Sequence, residues 1–478
     1  MTEPAVRPDP VHARATRKTM LKLIPLLCLI YFMSYIDRTN VSLAKTQFET
    51  DIGLTAAAYG LGAGIFFISY AFLEVPSNLI MYKTGPRVWI TRIALTWGAV
   101  TVLMMFVQGE MSFYILRFVL GAAEAGLFPA LAYMVTVWFA QHQRASVMGF
   151  IYLAPTTALI IGGPMGGALM EMDDILGLHG WQWMFLIEGL ITMAIGVLLW
   201  FKLPSTPQDA RWLSAEEASS LTSRAGVPDE GDKHIRGNLG KAFGRPFIVL
   251  LALVYFLNQV ASVGLVFNIP AIIETMDVSS PFMIGLISGS VGIGATLGVL
   301  VIPRLFRGST REASWLGAMA LGTLVTAGAY LLVDAPAARV LLIMLGAVFI
   351  FGTLPLFWSV AMARMSGVVA AAGLAFINTI GLIGGFVGPY LFGQAETMTG
   401  DPASGFVIVI AVSALSVALV PLLARALRRE DTERLARLEA EVGQTGDPAA
   451  GSGSGANPAP VVPVSEAELM DIPQAEGR

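Results

Sequence analysis

Residues 22–44 read KLIPLLCLIYFMSYIDRTNVSLA, an apolar run that carries two adjacent charges, Asp37 and Arg38, in its second half. A hydrocarbon core about 30 Å thick needs about 20 apolar residues per helix, so the run is long enough to cross it. An ionisable side chain near the bilayer centre costs about 2.5–3.5 kcal/mol on insertion scales, and it persists where it faces a water-filled path or a partner. The segment therefore reads as a membrane helix with a polar task, and the task it suggests is transport.

Composition agrees with the segment. The chain has 478 residues, of which 55% are hydrophobic and 13% charged, against about 25% charged in soluble domains. The reading is an all-α integral membrane protein. A net charge of −4 gives no electrostatic footprint for nucleic acid. The single cysteine, Cys28, allows neither an intrachain disulfide nor a cysteine metal cluster. His12, His142, His179 and His234 fall outside the apolar cores. No catalytic or metal constellation emerges, so neither an enzyme nor a cofactor is expected.

Apolar windows of spanning length recur twelve times, at about 22–44, 58–82, 88–108, 111–137, 145–171, 182–202, 246–273, 281–303, 312–333, 336–361, 367–394 and 403–427. The faintest boundary is the third, where Gln108 to Ser112 is the sole break. Lys and Arg accumulate in cytoplasmic loops. With the N-terminus inside, the inner segments hold Lys83, Arg87, Arg144, Lys202, Lys241, Arg245, Arg304, Arg307 and Arg364 among others, while the outer ones hold only Lys45 and Arg339. The alternation predicts twelve spans and two cytoplasmic termini. Residues 1–21 read as a cytoplasmic leader, 22–202 and 246–427 as two six-helix bundles, and 203–245 as a cytoplasmic linker. From about Gly443 onward the tail within 428–478 is rich in Gly, Ser, Pro and Ala, and disorder is expected there.

The halves resemble weak parallel repeats. Gly162-Gly163-Pro164 in the fifth span corresponds to Gly388-Pro389 in the eleventh. These glycines follow no strand and lack a phosphate-binding lysine, so helix packing and hinge bending explain them better than a nucleotide loop.

Successive helical residues lie about 100° apart, so Asp37 and Arg38 can share one wide polar face with Ser34 and Val41. Arg117 and Glu124, seven residues apart in the fourth span, lie on one face but about 10 Å apart along the axis, too far to pair with each other. Asp37 and Arg38 are their candidate partners. Two acids and two bases from separate helices would make a near-neutral cluster in which either acid could take up a proton. A purely structural quartet, or a locally neutralised Asp37-Arg38 pair, is the plainer alternative. Glu74 and Glu188 read as bundle packing or as cavity acids with equal ease. Tyr70 is either path lining or a packed aromatic. The second half has no matching charges and offers Asn258, Gln259, Asn268, Trp358, Ser359 and Asn378 for hydrogen bonding.

A set of ordered motifs carries a family resemblance: Tyr35-Ile36-Asp37-Arg38-Thr39-Asn40, Arg117-Phe118-Val119-Leu120-Gly121, Glu124-Ala125-Gly126-Leu127-Phe128-Pro129, Gly180-Trp181-Gln182-Trp183-Met184-Phe185, and Asn378 with Gly384-Gly385-Phe386-Val387-Gly388-Pro389. Over roughly residues 20–430 the chain resembles the major facilitator superfamily, and within it the anion:cation symporters that carry sugar acids, tartrate, phthalate and hydroxyphenylacetate. The resemblance implies two bundles, alternating access and proton-coupled uptake of a small organic anion across a bacterial inner membrane, by a protein working as a monomer. Asp37 and Glu124 match the family's proton-coupling acids, and Arg38 and Arg117 its carboxylate-contacting bases. Tyr35, Tyr70, Trp358, Ser359 and Asn378 match cavity positions. Lys83-Thr84-Gly85-Pro86-Arg87 is a degenerate form of the loop between the second and third helices, without its usual acid. Ala154-Pro155-Thr156-Thr157 stands where sugar-acid carriers tend to present a glutamine, which favours the tartrate, phthalate and hydroxyphenylacetate branch. An uncoupled facilitator, an exporter and a ligand-binding membrane sensor are the alternatives.

Overall fold

The computed structural model describes residues 10–225, 245–306, 311–365 and 367–445. Among them twelve helices are long and apolar enough to cross a membrane. They are α1 (Pro10–Leu43), α2 (Ala56–Thr84), α3 (Pro86–Phe106), α4 (Glu110–Trp138), α5 (Gln141–Met170), α6 (Gly180–Lys202), α7 (Pro246–Glu274), α8 (Pro281–Phe306), α9 (Glu312–Leu332), α10 (Pro336–Ala363), α11 (Gly367–Thr399) and α12 (Gly405–Thr445). Only helices satisfy every backbone group within a lone segment in lipid, which is why each apolar window takes this form. Residues from Arg429 form a separate unit, helical to Thr445 and carrying an Arg429–Glu433 ion pair at 3.6 Å.

Helix boundaries have local causes. Gly85, with φ of 87°, ends α2, and Pro86 opens α3, where its missing N–H costs nothing. The faint third boundary is a 3₁₀ turn, Met104–Phe106, followed by extended residues before α4 begins at Glu110. The fourth span is not the continuous helix that its hydropathy predicts. It breaks between Glu124 and Leu127, with Ala125 extended and Gly126 left-handed at φ 89°. The Ala125 carbonyl freed by the break accepts from Ser77 Oγ at 2.6 Å, and Trp89 Nε1 donates to that same Oγ at 2.9 Å.

Within the first half α1 packs on α5, α2 on α4, and α3 on α6; in the second, α7 packs on α11 and α8 on α10. The repeated α1–α5 and α7–α11 pairings fit the parallel repeat. Between halves, α2 meets α11 and α5 meets α8 along seams of bare backbone. A Cβ added at Gly163 would overlap the Gly285 carbonyl, and one at Gly60 would overlap the Pro389 carbonyl. On α2 the close approaches fall at Gly60 and Gly64, near its start, which follows the short helix Lys45–Asp51; this is the Lys45 end of the bundle. At the opposite, linker end, Val75, Leu79 and Phe150 are exposed.

The expected leader is helical from Pro10, and it meets a linker helix, Ala215–Ala225. Lys18 Nζ donates to Glu217 Oε2 at 2.8 Å, with Arg14 at 3.6 Å. That hydrogen bond, with one from the Ser214 backbone, holds the Glu217 carboxyl below its ordinary value. The rest of the predicted linker, 226–244, and the tail from 446 lie outside the described residues.

Candidate functional site

The second half of α1 and the break in α4 bring the charges together. Arg38 Nη2 donates to Glu124 Oε1 at 2.7 Å, with the Glu124 side chain 1% exposed. The guanidinium also lies 4.8 Å from the Tyr35 ring centroid, 5.3 Å from that of Phe66 and 5.9 Å from that of Tyr70. Glu124 closes the first segment of α4, where the negative end of the helix dipole favours a cation alongside. Glu124 Oε2 has no hydrogen-bond partner among the described residues. The pair thus leaves one carboxylate oxygen unengaged and the Arg38 side chain 20% exposed.

Asp37 points elsewhere. Its Oδ1 accepts from Thr101 Oγ1 at 2.7 Å and from Asn40 Nδ2 at 3.4 Å, toward α3 and α6 rather than toward Arg38. On a helix surrounded by neighbours, a rotation of about 100° between successive residues sends them to different interfaces. The shared polar face expected of Asp37 and Arg38 is therefore absent. Arg117 is fully buried, and its Nε and Nη2 reach the Gly62 and Ala63 carbonyls at 3.4 and 3.2 Å. It stacks 4.9 Å from the Phe66 ring centroid. Asp37 and Arg117 feel each other electrostatically but share no hydrogen bond. In place of one compact quartet there is one ion pair flanked by a separately held acid and base.

The second-half candidates are neutral groups. Trp358 packs edge-on against Tyr255 with centroids 5.3 Å apart, and Ser359 is exposed beside it. Asn378 Nδ2 donates to Glu74 Oε2 across the halves at 3.4 Å. Tyr255 in turn lies within electrostatic range of Tyr35, Tyr152 and Glu74. Of the other amides, Asn258 borders a small separate void of about 30 Å³ inside the second half.

Sequence reasoning missed the cluster that closes the Lys45 end. Lys45 Nζ is paired with Glu396 and donates to Asn268 Oδ1 at 2.9 Å, joining the short helix Lys45–Asp51 to α11 and α7. The Tyr59 hydroxyl bonds to the Phe267 carbonyl at 3.0 Å, the Ala57 N–H donates to Thr397 Oγ1 at 3.1 Å, and Ser280 Oγ donates to Glu171 Oε1 at 2.7 Å. All five links cross between halves. The available signal was the isolation of Lys45 among acidic outer segments. Outside this closure lies a cavity of about 340 Å³, bordered by Thr46, Gln47, Thr50 and Glu274.

Residues 27–389 match the Major Facilitator Superfamily. The chain belongs to that superfamily. It is 37% identical over 427 residues to a putative tartrate transporter of Agrobacterium vitis, covering 88% of this chain and 94% of that one. It is 37% identical over 424 residues to a quinolone resistance transporter of Acinetobacter baumannii, covering 87% and 96%. Two solved superfamily structures share the fold. One is a bacterial homolog of the human lysosomal transporter Spinster in an inward-facing and unoccupied conformation, with TM-score 0.71 and 17% identity over 88% of this chain and 98% of that one. The other is a D-xylose-proton symporter, with TM-score 0.68 and 15% identity over 84% and 97%. This superfamily member is a multi-pass membrane transporter of a small molecule, and not an enzyme.

Proposed function

We propose that this transporter takes up a small organic anion together with protons by alternating access. The observation that carries the reading is the buried Arg38–Glu124 pair with Tyr35 and Tyr70 against its guanidinium; Trp358, Ser359 and Asn378 are assigned to the substrate path from the second half. A buried guanidinium without a counter-charge is costly, so while Glu124 is ionised it occupies Arg38. Protonation of Glu124 removes that claim, and Arg38 is then best neutralised by a substrate carboxylate through charge-assisted hydrogen bonds. Proton and anion are coupled because each makes room for the other. Arg117 supplies a second positive field, and Asp37 a second acid. The tartrate-transporter relatives support a carboxylate substrate, and the surrounding aromatic rings suit a planar or hydroxylated acid.

By the Lys and Arg asymmetry, both termini are cytoplasmic and the Lys45 end faces outward. The conformation described is then closed to the outside. Export of an organic acid is a second reading, favoured by the relative named for quinolone resistance.

The test is a proteoliposome assay with an internal pH dye, screening sugar acids, dicarboxylates and aromatic acids. The expected result is acidification of the lumen as substrate and protons enter together. Glu124→Gln should abolish proton-driven accumulation while sparing counterflow exchange. A substrate that accumulates equally well in Glu124→Gln liposomes would refute the coupling role.

A further inference from the structure

A pair of acids lies inside the first half, apart from the Arg38–Glu124 ion pair. Asn40, three residues beyond Asp37 on α1, donates through Nδ2 to Glu188 Oε2 on α6 at 2.7 Å and to Asp37 Oδ1 at 3.4 Å. Asp37 is 4% exposed and Glu188 1%. Glu188 Oε1 and Asn40 Oδ1 have no hydrogen-bond partner among the described residues.

The two acids are unequally provided for. Asp37 accepts from Thr101 as well as from Asn40, has the Trp97 side chain beside it, and lies in the fields of Arg117 and the Glu124 carboxylate. Glu188 has the single bond from Asn40. Around it, α1 presents Asp37 and Asn40, α3 presents Thr101, and α5 presents Gly166, where an added Cβ would stand 3.7 Å from Glu188 Oε1. Arg38 is committed to Glu124. A buried carboxylate with no cation of its own, beside another carboxylate, is costly enough that the two titrate as a unit.

We propose that Asp37 and Glu188 form a two-acid, one-proton site, with the proton on Glu188, Asp37 ionised, and the Asn40 amide shared between them. It is distinct from the Arg38–Glu124 pair, and a further proton taken up by Asp37 makes it neutral. Its meaning for transport rests on the proton-coupled reading above; the occupancy of Glu188 does not.

The experiment is infrared difference spectroscopy on the purified full-length protein at neutral pH without substrate, in H₂O and D₂O. Wild type should show the carbonyl stretch of a protonated carboxylic acid that Glu188→Gln removes. Asn40→Ala should keep this band but move it to higher frequency, since the acid loses its hydrogen-bond partner. A spectrum unchanged by Glu188→Gln overturns the proposal. Should that variant fail to fold, an unshifted band in Asn40→Ala overturns it equally. A band lost in Glu188→Gln, with no substrate-driven pH change in wild type, would leave this site standing and refute the coupled reading alone.

Discussion

Lys45 and Glu396, one from each half of the molecule, form an ion pair in which the lysine side chain is 1% exposed and the glutamate 10%. With Asn268 as the second acceptor, it ties the short helix Lys45–Asp51 to both α7 and α11. Removing one partner of a buried pair costs about 3–5 kcal/mol, because the other is left buried and alone. Opening that end to water relieves the loss.

Lys45→Met should therefore shift the population toward the conformation open at the Lys45 end. With Cys28 replaced by serine and a cysteine placed at Phe67, which packs against Phe267 at the junction, thiol labelling from that side should quicken at least about tenfold, since each 1.4 kcal/mol is a factor of ten. An unchanged rate would show that the pair does not hold the closure.

Gly163→Ala should act on the same equilibrium by wedging rather than by charge. The new methyl meets the Gly285 carbonyl, which belongs to helix backbone and cannot step aside. The same labelling assay should report the shift, while Gly149→Ala, where a Cβ has nothing within 4 Å, should leave the rate at the wild-type value.

Arg38→Lys keeps the charge but loses the planar fork and its stacking against Tyr35 and Phe66. A hydrogen bond to a charged group contributes about 1.5–3 kcal/mol, so counterflow exchange should show a substrate KM raised by about tenfold or more. Equal KM values would argue that the substrate carboxylate binds elsewhere.

Glu49, in the short helix after α1, supplies a pH dependence. Burial, opposed by Lys45 and reinforced by the Glu396 and Glu274 carboxylates, pushes its carboxyl up to about 6 from 4.5. The folded state therefore binds more protons than the unfolded chain between those values, and stability falls as pH rises through that window. Melting temperatures measured from pH 4.5 to 7 should fall as pH rises through the window, and Glu49→Gln should flatten that component.

The spans were legible because lipid permits so few alternatives; long apolar windows become helices, and Lys and Arg phase them. The break at Gly126 was not legible, since glycine is common in membrane helices and only the Ser77 and Trp89 bonds from distant segments make the left-handed turn worth forming. Arg38 and Glu124 could be nominated from burial cost, but the divergence of Asp37 from Arg38 depends on which helix lies on each side of α1. Lys45 and Glu396 are 351 positions apart and share no local pattern. Lys45 looked like a loop residue because it follows the apolar run, whereas the chain folds back over it.

The seams at Gly60 and Gly163 differ in kind from the Lys45 pair. Each carbonyl that a glycine approaches is already engaged inside its own helix, so the contact is van der Waals and weak C–H···O attraction. Pulled apart, these surfaces strand no donor or acceptor and can be wetted at little energetic cost. Their shape fixes the register to which the halves return, while the tendency to stay shut is concentrated in the few side chains around Lys45.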